Sequence, residues 1–276
     1  MSSSAWSARS AMSDVRRAAN SGQMSWLARL GLVARAAVYL LIGILALLLA
    51  FGAKKKETDQ RGALQELANQ TGGFALLLVI AVGLVGYAIW RFSEAAFGVA
   101  GEGMKAGPRA QSLIRGVVYA FLAVSAFTIL FEGHDTSQAR QQQSLTAKVM
   151  KNTGGRWLVG LVGVVIVVVG AVLVYEGVTR KFEKYFKLGA MGSRARRITE
   201  FLGTIGTTAR GVVFGVTGVL IVTAAVQFEP AKARGIDGAL RALRDTPAGP
   251  WLLVVIAVGL VMFGLFGLCE ARWRRT

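Results

Sequence analysis

Apolar residues fall in six long blocks along the chain: about Ala36–Gly52, Gly73–Trp90, Gly116–Phe131, Trp157–Tyr175, Gly211–Phe228 and Pro250–Leu268. Each reaches or nearly reaches the ~20 apolar residues that a helix needs to cross a hydrocarbon core of ~30 Å at ~1.5 Å per residue. Glycine recurs inside the blocks, at Gly83, Gly86, Gly160, Gly163, Gly170, Gly215, Gly218, Gly259 and Gly264. In a water-exposed helix each would cost ~1 kcal/mol relative to alanine. Between helices in lipid a small residue lets two backbones approach, and Gly211-x-x-x-Gly215 has the spacing for such a contact. A soluble core hides one or two such helices, not six in 276 residues. The pattern predicts an all-α polytopic membrane protein with six transmembrane helices.

The six blocks form three copies of one unit. Gly73 and Glu94, Gly155 and Glu176, and Gly249 and Glu270 are each 21 residues apart, and a small residue follows each glutamate (Ala95, Gly177, Ala271). Upstream, Gly62-Ala63-Leu64 aligns without gaps with Gly238-Ala239-Leu240, where the second copy has Ser144-Leu145-Thr146. Each unit opens on an arginine with an aromatic residue four positions on: Arg35 and Tyr39, Arg115 and Tyr119, Arg210 and Phe214. Arginine and glutamate lie 59, 61 and 60 residues apart in the three copies. The expected organisation is a Ser/Arg-rich tail (1–26), hairpin repeat 1 (27–103), hairpin repeat 2 with a basic extension (104–190) and hairpin repeat 3 (191–276), as three tandem helical hairpins in a pseudo-threefold arrangement. An even number of spans per unit gives all three copies the same orientation.

The openings Ala34-Arg35-Ala36-Ala37-Val38-Tyr39, Ile114-Arg115-Gly116-Val117-Val118-Tyr119 and Ala209-Arg210-Gly211-Val212-Val213-Phe214, the Gly-Ala-Leu loop motif and the glutamate-small endings resemble the bacterial membrane family known as domain of unknown function 1206. The resemblance runs over nearly the whole chain from Leu27, and the second copy departs from it at Ser144 and Thr146. It implies an integral-membrane location and the three-hairpin architecture. It implies no activity.

Composition agrees with alternating apolar blocks and basic connectors. The chain is 54% hydrophobic and 17% charged, with a mean hydropathy of +0.51 and a formal net charge of +17. Of the 32 Lys and Arg, 20 lie on the side of the two termini and of the connectors after spans two and four. A Lys/Arg excess marks the cytoplasmic side, so both termini are expected inside, in a bacterial cytoplasmic membrane. The first 25 residues hold no apolar stretch, and the first span is expected to serve as the insertion signal.

The charges inside the repeat are the candidate functional residues. At helical rise Gly73 to Glu94 covers ~31 Å, which brings each glutamate to the inner boundary of the core, at the depth where the arginine opens the preceding helix. Ionisable groups at that depth seek partners. Arg35, Arg115 and Arg210 are therefore expected to pair with Glu94, Glu176 and Glu270, within a hairpin or between neighbouring ones. Such pairs serve either as pins for helix register or as a polar ring around a path or a lipid headgroup pocket. Trp90, Arg91 and Trp273 read as interface anchors.

The most basic stretch, Arg180, Lys181, Lys184, Lys187, Arg194, Arg196 and Arg197, interleaved with Phe182, Tyr185 and Phe186, directly follows a span. Such clusters contact anionic lipid at ~1 kcal/mol per basic residue, or carry only the inside-positive charge bias with no ligand. No nucleic-acid motif accompanies it, and a nucleic-acid partner is not expected. In the outer loops, Leu64 with Leu67 and Leu240 with Leu243 make short amphipathic helices expected to lie in the interface or else to fold over the bundle as a lid, with Asp237 placed to cap the second of them.

Enzyme signatures are absent: no phosphate-cradling loop, no H-E-x-x-H, no nucleophile elbow. One cysteine, Cys269, and one histidine, His134 beside Glu132 and Asp135, leave no metal cluster, and no cofactor is expected. No acid lies mid-membrane, which argues against a proton-coupled carrier. The expected function is a non-enzymatic membrane scaffold or lipid-binding protein in contact with the bilayer and with anionic lipid at the cytoplasmic face. The alternative is a small-solute or ion channel or transporter with a path between the hairpins.

Overall fold

The computed structural model describes residues 22–52, 58–99, 102–131, 146–150, 153–229, 233 and 235–275. Most of the Ser/Arg-rich tail, the Glu132–His134–Asp135 group and Ser144 lie outside the described residues. Each apolar block is the centre of a longer helix, because the polar turns that flank it also satisfy their backbone by continuing the helical bonds. The helices are α1 (Gly22–Ala50), α2 (Gln60–Ala68), α3 (Gly73–Phe97), α4 (Ala106–Phe131), α5 (Thr153–Val178), α6 (Ser193–Gln227), α7 (Gly235–Arg244) and α8 (Gly249–Trp273). Six of them, α1, α3, α4, α5, α6 and α8, are long and apolar enough to cross a membrane. The chain is a multi-pass helical membrane protein of three tandem hairpins.

The spans stand side by side in one curved row, in the order α5, α6, α8, α1, α3, α4. All three faces that join one hairpin to the next are formed, α3 on α4, α5 on α6 and α8 on α1, and they are the most extensive in the molecule. Within hairpins, α1 packs on α3 and α6 on α8, but α4 and α5 share no packed face. The second hairpin is thus spread across the row, its two helices forming the two ends. Position within the repeat gives the reason. Seven and four residues before the repeat glutamate, α3 presents Tyr87 and Trp90 and α8 presents Phe263 and Phe266, all buried. The equivalent residues of α5 are Val169 and Val172, which are exposed. Without the large rings, α5 has little to offer the interior and is held by α6 alone.

That one face depends on close backbone approach. A Cβ added to Gly170 would lie 2.6 Å from the backbone nitrogen of Gly215 and 2.8 Å from the carbonyl oxygen of Gly211; one added to Gly218 would lie 2.6 Å from the nitrogen of Val167. The Gly211-x-x-x-Gly215 spacing therefore does mark a contact. Gly211 and Gly170 meet reciprocally, whereas a Cβ on Gly215 would find open space.

The short outer helices fold over the bundle, the second of the two expected placements. Ala63, Leu64, Ala239 and Leu240 are fully buried, with α2 packed on α1, α3 and α4 and α7 on α6, α8 and α1. Asp59 caps α2 by accepting from the Gly62 N–H at 2.8 Å. Asp237 is not a cap: it lies inside the first turn of α7, accepts from the Thr58 N–H at 2.9 Å and pairs with Arg241 at 2.8 Å. The reason is tertiary. Asp237 joins α7 to the residue preceding the cap of α2, so one hydrogen bond ties the two outer helices together.

Candidate functional site

At the end of the row that carries the termini, α1, α3, α4, α6 and α8 turn a set of arginines, carboxylates and rings toward the concave side. Arg35 of α1 forms an ion pair with Glu270 of α8, across the face between the third and first hairpins. Arg274, one helical turn beyond, donates to the other oxygen of Glu270 at 2.5 Å. Arg91 of α3 donates to Glu94 at 2.6 Å, and the Ser112 hydroxyl of α4 donates to the same carboxylate at 2.9 Å. The Tyr87 hydroxyl joins the two groups, accepting from Arg91 at 2.7 Å and from Arg35 at 3.2 Å. Rings fill the spaces between charges. The Arg91 guanidinium lies 4.2 Å from the Trp90 centroid, Arg274 lies 5.2 Å from the same ring, and Tyr87 and Tyr119 meet edge-on at 4.5 Å. Arg35, Arg91, Glu94, Glu270 and Arg274 are all buried.

The six repeat charges are thus treated unequally. Arg35 and Glu270 are in contact. Glu94 is met by Arg91 and Ser112 instead of by Arg115, because Arg91 lies one turn away on the same helix and reaches it first. Among the described residues no carboxylate pairs with Arg115 or Arg210, and no Lys or Arg pairs with Glu176. Glu176 belongs to α5, which turns its glycine face to α6, and its half-buried carboxylate meets no arginine there. Arg210 instead lies over Phe263, Phe214 and Tyr39, at 4.9, 5.1 and 5.3 Å from their centroids. Arg115 is within Coulombic range of Arg91, Arg210 and Arg274.

Tyr119, the repeat's aromatic residue after Arg115, belongs to the cluster, and Arg91, Arg274, Tyr87 and Ser112 complete it although the repeat pattern does not single them out. A sequence signal for the two arginines exists: Arg91 precedes Glu94 by three and Arg274 follows Glu270 by four, the spacings at which helical side chains touch. Trp90 and Arg91 are not interface anchors. At 3% and 1% exposure they are interior residues, since that face of α3 points into the concave side.

The basic stretch between α5 and α6 forms a strap across this end. Residues Lys181–Tyr185 are a short 3-10 helix, after which Phe186 bridges to Arg274, Lys187 donates its N–H to Trp273 at 2.9 Å and Arg275 donates to Tyr185 at 2.8 Å. Phe182 and Phe186 are buried on Phe266. Part of its positive charge is used internally. Arg196 pairs with Glu200 and Glu183, Arg180 with Glu200, Lys184 with Glu102, and Lys181 lies over Tyr175. Lys187, Arg194 and Arg197 remain exposed.

Glu102, in the connector between the first and second hairpins, receives Lys105 at 2.8 Å and Lys184 at 2.6 Å. These hydrogen bonds hold its carboxyl at about 2, below the ordinary value of 4.5. A lowered carboxyl stabilises the contact fully above the ordinary value and loses it as pH falls through about 2. Amide protection across 181–190, corrected for intrinsic exchange, should therefore be equal at pH 7 and pH 5. Glu102→Gln should lower it at both, modestly, because the pair is exposed.

The family described as Domain of Unknown Function (DUF1206) matches the chain three times, over residues 30–98, 110–180 and 205–274, one match for each hairpin. The chain is also similar to the "Uncharacterized protein YxxB" of Bacillus subtilis (strain 168), 32% identical over 245 residues that make up 88% of each protein. No solved structure matches it. The chain belongs to the DUF1206 family.

Proposed function

We infer that this three-hairpin protein is a non-enzymatic lipid-binding protein of the bacterial cytoplasmic membrane, with both termini inside. One observation carries the reading: at the end of the row that carries the termini, five guanidinium groups, Arg35, Arg91, Arg115, Arg210 and Arg274, face only two carboxylates among the described residues, Glu94 and Glu270. In a bilayer such a surplus of positive charge at the end of apolar spans falls at headgroup depth, where anionic lipid can meet it. Exposed Lys187, Arg194 and Arg197 on the strap add attraction for an anionic leaflet. A through-path for solutes has less support, since fully buried Leu64 and Leu240 occupy the outer end where such a path would open.

Native mass spectrometry of the protein released from neutral detergent tests the reading. Retention of one or more phospholipids through the detergent wash is expected, together with no flux of ions or small solutes in liposomes. A lipid-free spectrum, or Arg-dependent flux, would overturn it.

A further inference from the structure

Five guanidinium groups, Arg35, Arg91, Arg115, Arg210 and Arg274, converge on this end of the concave side, against the carboxylates of Glu94 and Glu270. Arginine does not lose its proton in proteins, so the excess of positive charge cannot be relieved by deprotonation. Inside a membrane protein such an excess is costly unless an anion meets it. The excess is also localised. Arg35, Arg91 and Arg274 are buried and already donate to carboxylates, whereas Arg115 on α4 and Arg210 on α6 are half-buried and pair with no carboxylate among the described residues. The Nε of Arg210 is buried without a hydrogen-bond partner. The three rings around Arg210 hold it in place and offer no hydrogen-bond acceptor to its fork beyond the Tyr39 hydroxyl.

Two planar forks that approach from different helices suit an oxyanion with several acceptor oxygens, and a phosphate accepts two N–H groups from each. We propose that Arg115 and Arg210 bind the phosphate of an anionic lipid headgroup at the end of the row that carries the termini. The proposal rests on the lipid-binding reading and adds to it the headgroup chemistry and the residues that select it. Charge complementarity chooses this occupant over a second copy of the chain, which is itself strongly basic. The three copies of the repeat arginine then divide the work: Arg35 is a structural pin, and the two others are ligand-binding.

The test uses the full chain in neutral detergent and reads the unfolding midpoint and the apparent affinity for added lipid. Phosphatidylglycerol, phosphatidylcholine and inorganic phosphate at matched ionic strength are compared for the natural protein, Arg115→Gln, Arg210→Gln and the double variant. Phosphatidylglycerol should raise the midpoint well above the phosphatidylcholine value. The double variant should lose that difference, and each single variant should bind phosphatidylglycerol about tenfold more weakly. In the absence of lipid, Arg115→Gln should unfold at or above the natural midpoint, since an unpaired charge has been removed. A structural pin gives the opposite sign, and Arg35→Gln, which strands Glu270, supplies that comparison.

An unaltered phosphatidylglycerol effect in the double variant, or a lowered lipid-free midpoint in Arg115→Gln, would overturn the proposal. Inorganic phosphate reproducing the full shift would assign the site to a free ion, and loss of a dimer in the double variant would assign it to a second copy; each also overturns it. Retention of lipid regardless of headgroup and of these variants sinks this site alone. An Arg-dependent phosphate effect without retained lipid sinks the lipid reading and leaves an oxyanion site.

Discussion

Glu270→Gln should destabilise the protein by about 3–5 kcal/mol, the cost of stranding buried charge by removing its partner. Glu270 takes Arg35 on one oxygen and Arg274 on the other, and all three groups are buried. Glutamine keeps the shape and removes the negative charge. Its amide nitrogen must also face a guanidinium donor, so one of the two hydrogen bonds is replaced by a clash of donors. With Arg115 and Arg210 already uncompensated nearby, the neutralised position leaves five guanidinium groups facing Glu94 alone. The unfolding midpoint in detergent should fall by on the order of 10 °C. Glu176→Gln, the same change at the same repeat position in the second copy, should shift stability by less than ~0.5 kcal/mol, because no arginine pairs with it. Equal losses in the two variants would mean that the three repeat glutamates are equivalent, contrary to the geometry.

That contrast marks where the sequence was readable. Six apolar blocks and the recurrence of glycine, arginine and glutamate at fixed spacing were enough for the number of spans, the three hairpins and the common orientation of the copies, because lipid imposes length and apolarity on every spanning helix. The matched depth of arginine and glutamate was also legible, and Arg35 with Glu270 is its outcome in the structure. Which arginine meets which carboxylate was not, since a repeat says nothing about the turn-by-turn competitors it carries. Arg91 displaces Arg115 at Glu94 because three residues along one helix is nearer than any neighbouring helix. Nor did the apolar pattern reveal that the second hairpin is spread. Tyr87 and Trp90, Phe263 and Phe266, against Val169 and Val172, hold that signal in residue size, and a hydropathy reading scores all of them simply as apolar. The sequence left the placement of α2 and α7 open for a related reason. Amphipathic pieces of nine and ten residues suit an interface or a lid equally well, and only the burial of Leu64 and Leu240 against the spans shows that they fold over the bundle.

Size also decides the consequence of crowding the seam between α5 and α6. Gly170→Leu should separate the two helices. Its Cβ alone would come within 2.6–2.9 Å of Gly215 and Gly211 backbone atoms, which cannot rotate away as a side chain would. Overpacking of a close seam costs typically 1–3 kcal/mol where neighbours can shift, and here the obstacle is a rigid helix backbone, so at least ~3 kcal/mol is expected. Because α5 is packed on no other span, the loss should appear as release of that one helix instead of global unfolding. A cysteine pair placed across the seam should crosslink in the natural background and fail to do so with Gly170→Leu, while the remaining spans keep their unfolding midpoint. Gly211→Leu should act in the same way, since its Cβ meets the Val174 nitrogen at 2.7 Å and the Gly170 carbonyl at 2.8 Å. Gly215→Ala, in the same short motif, should be tolerated within ~0.5 kcal/mol because its Cβ would meet open space.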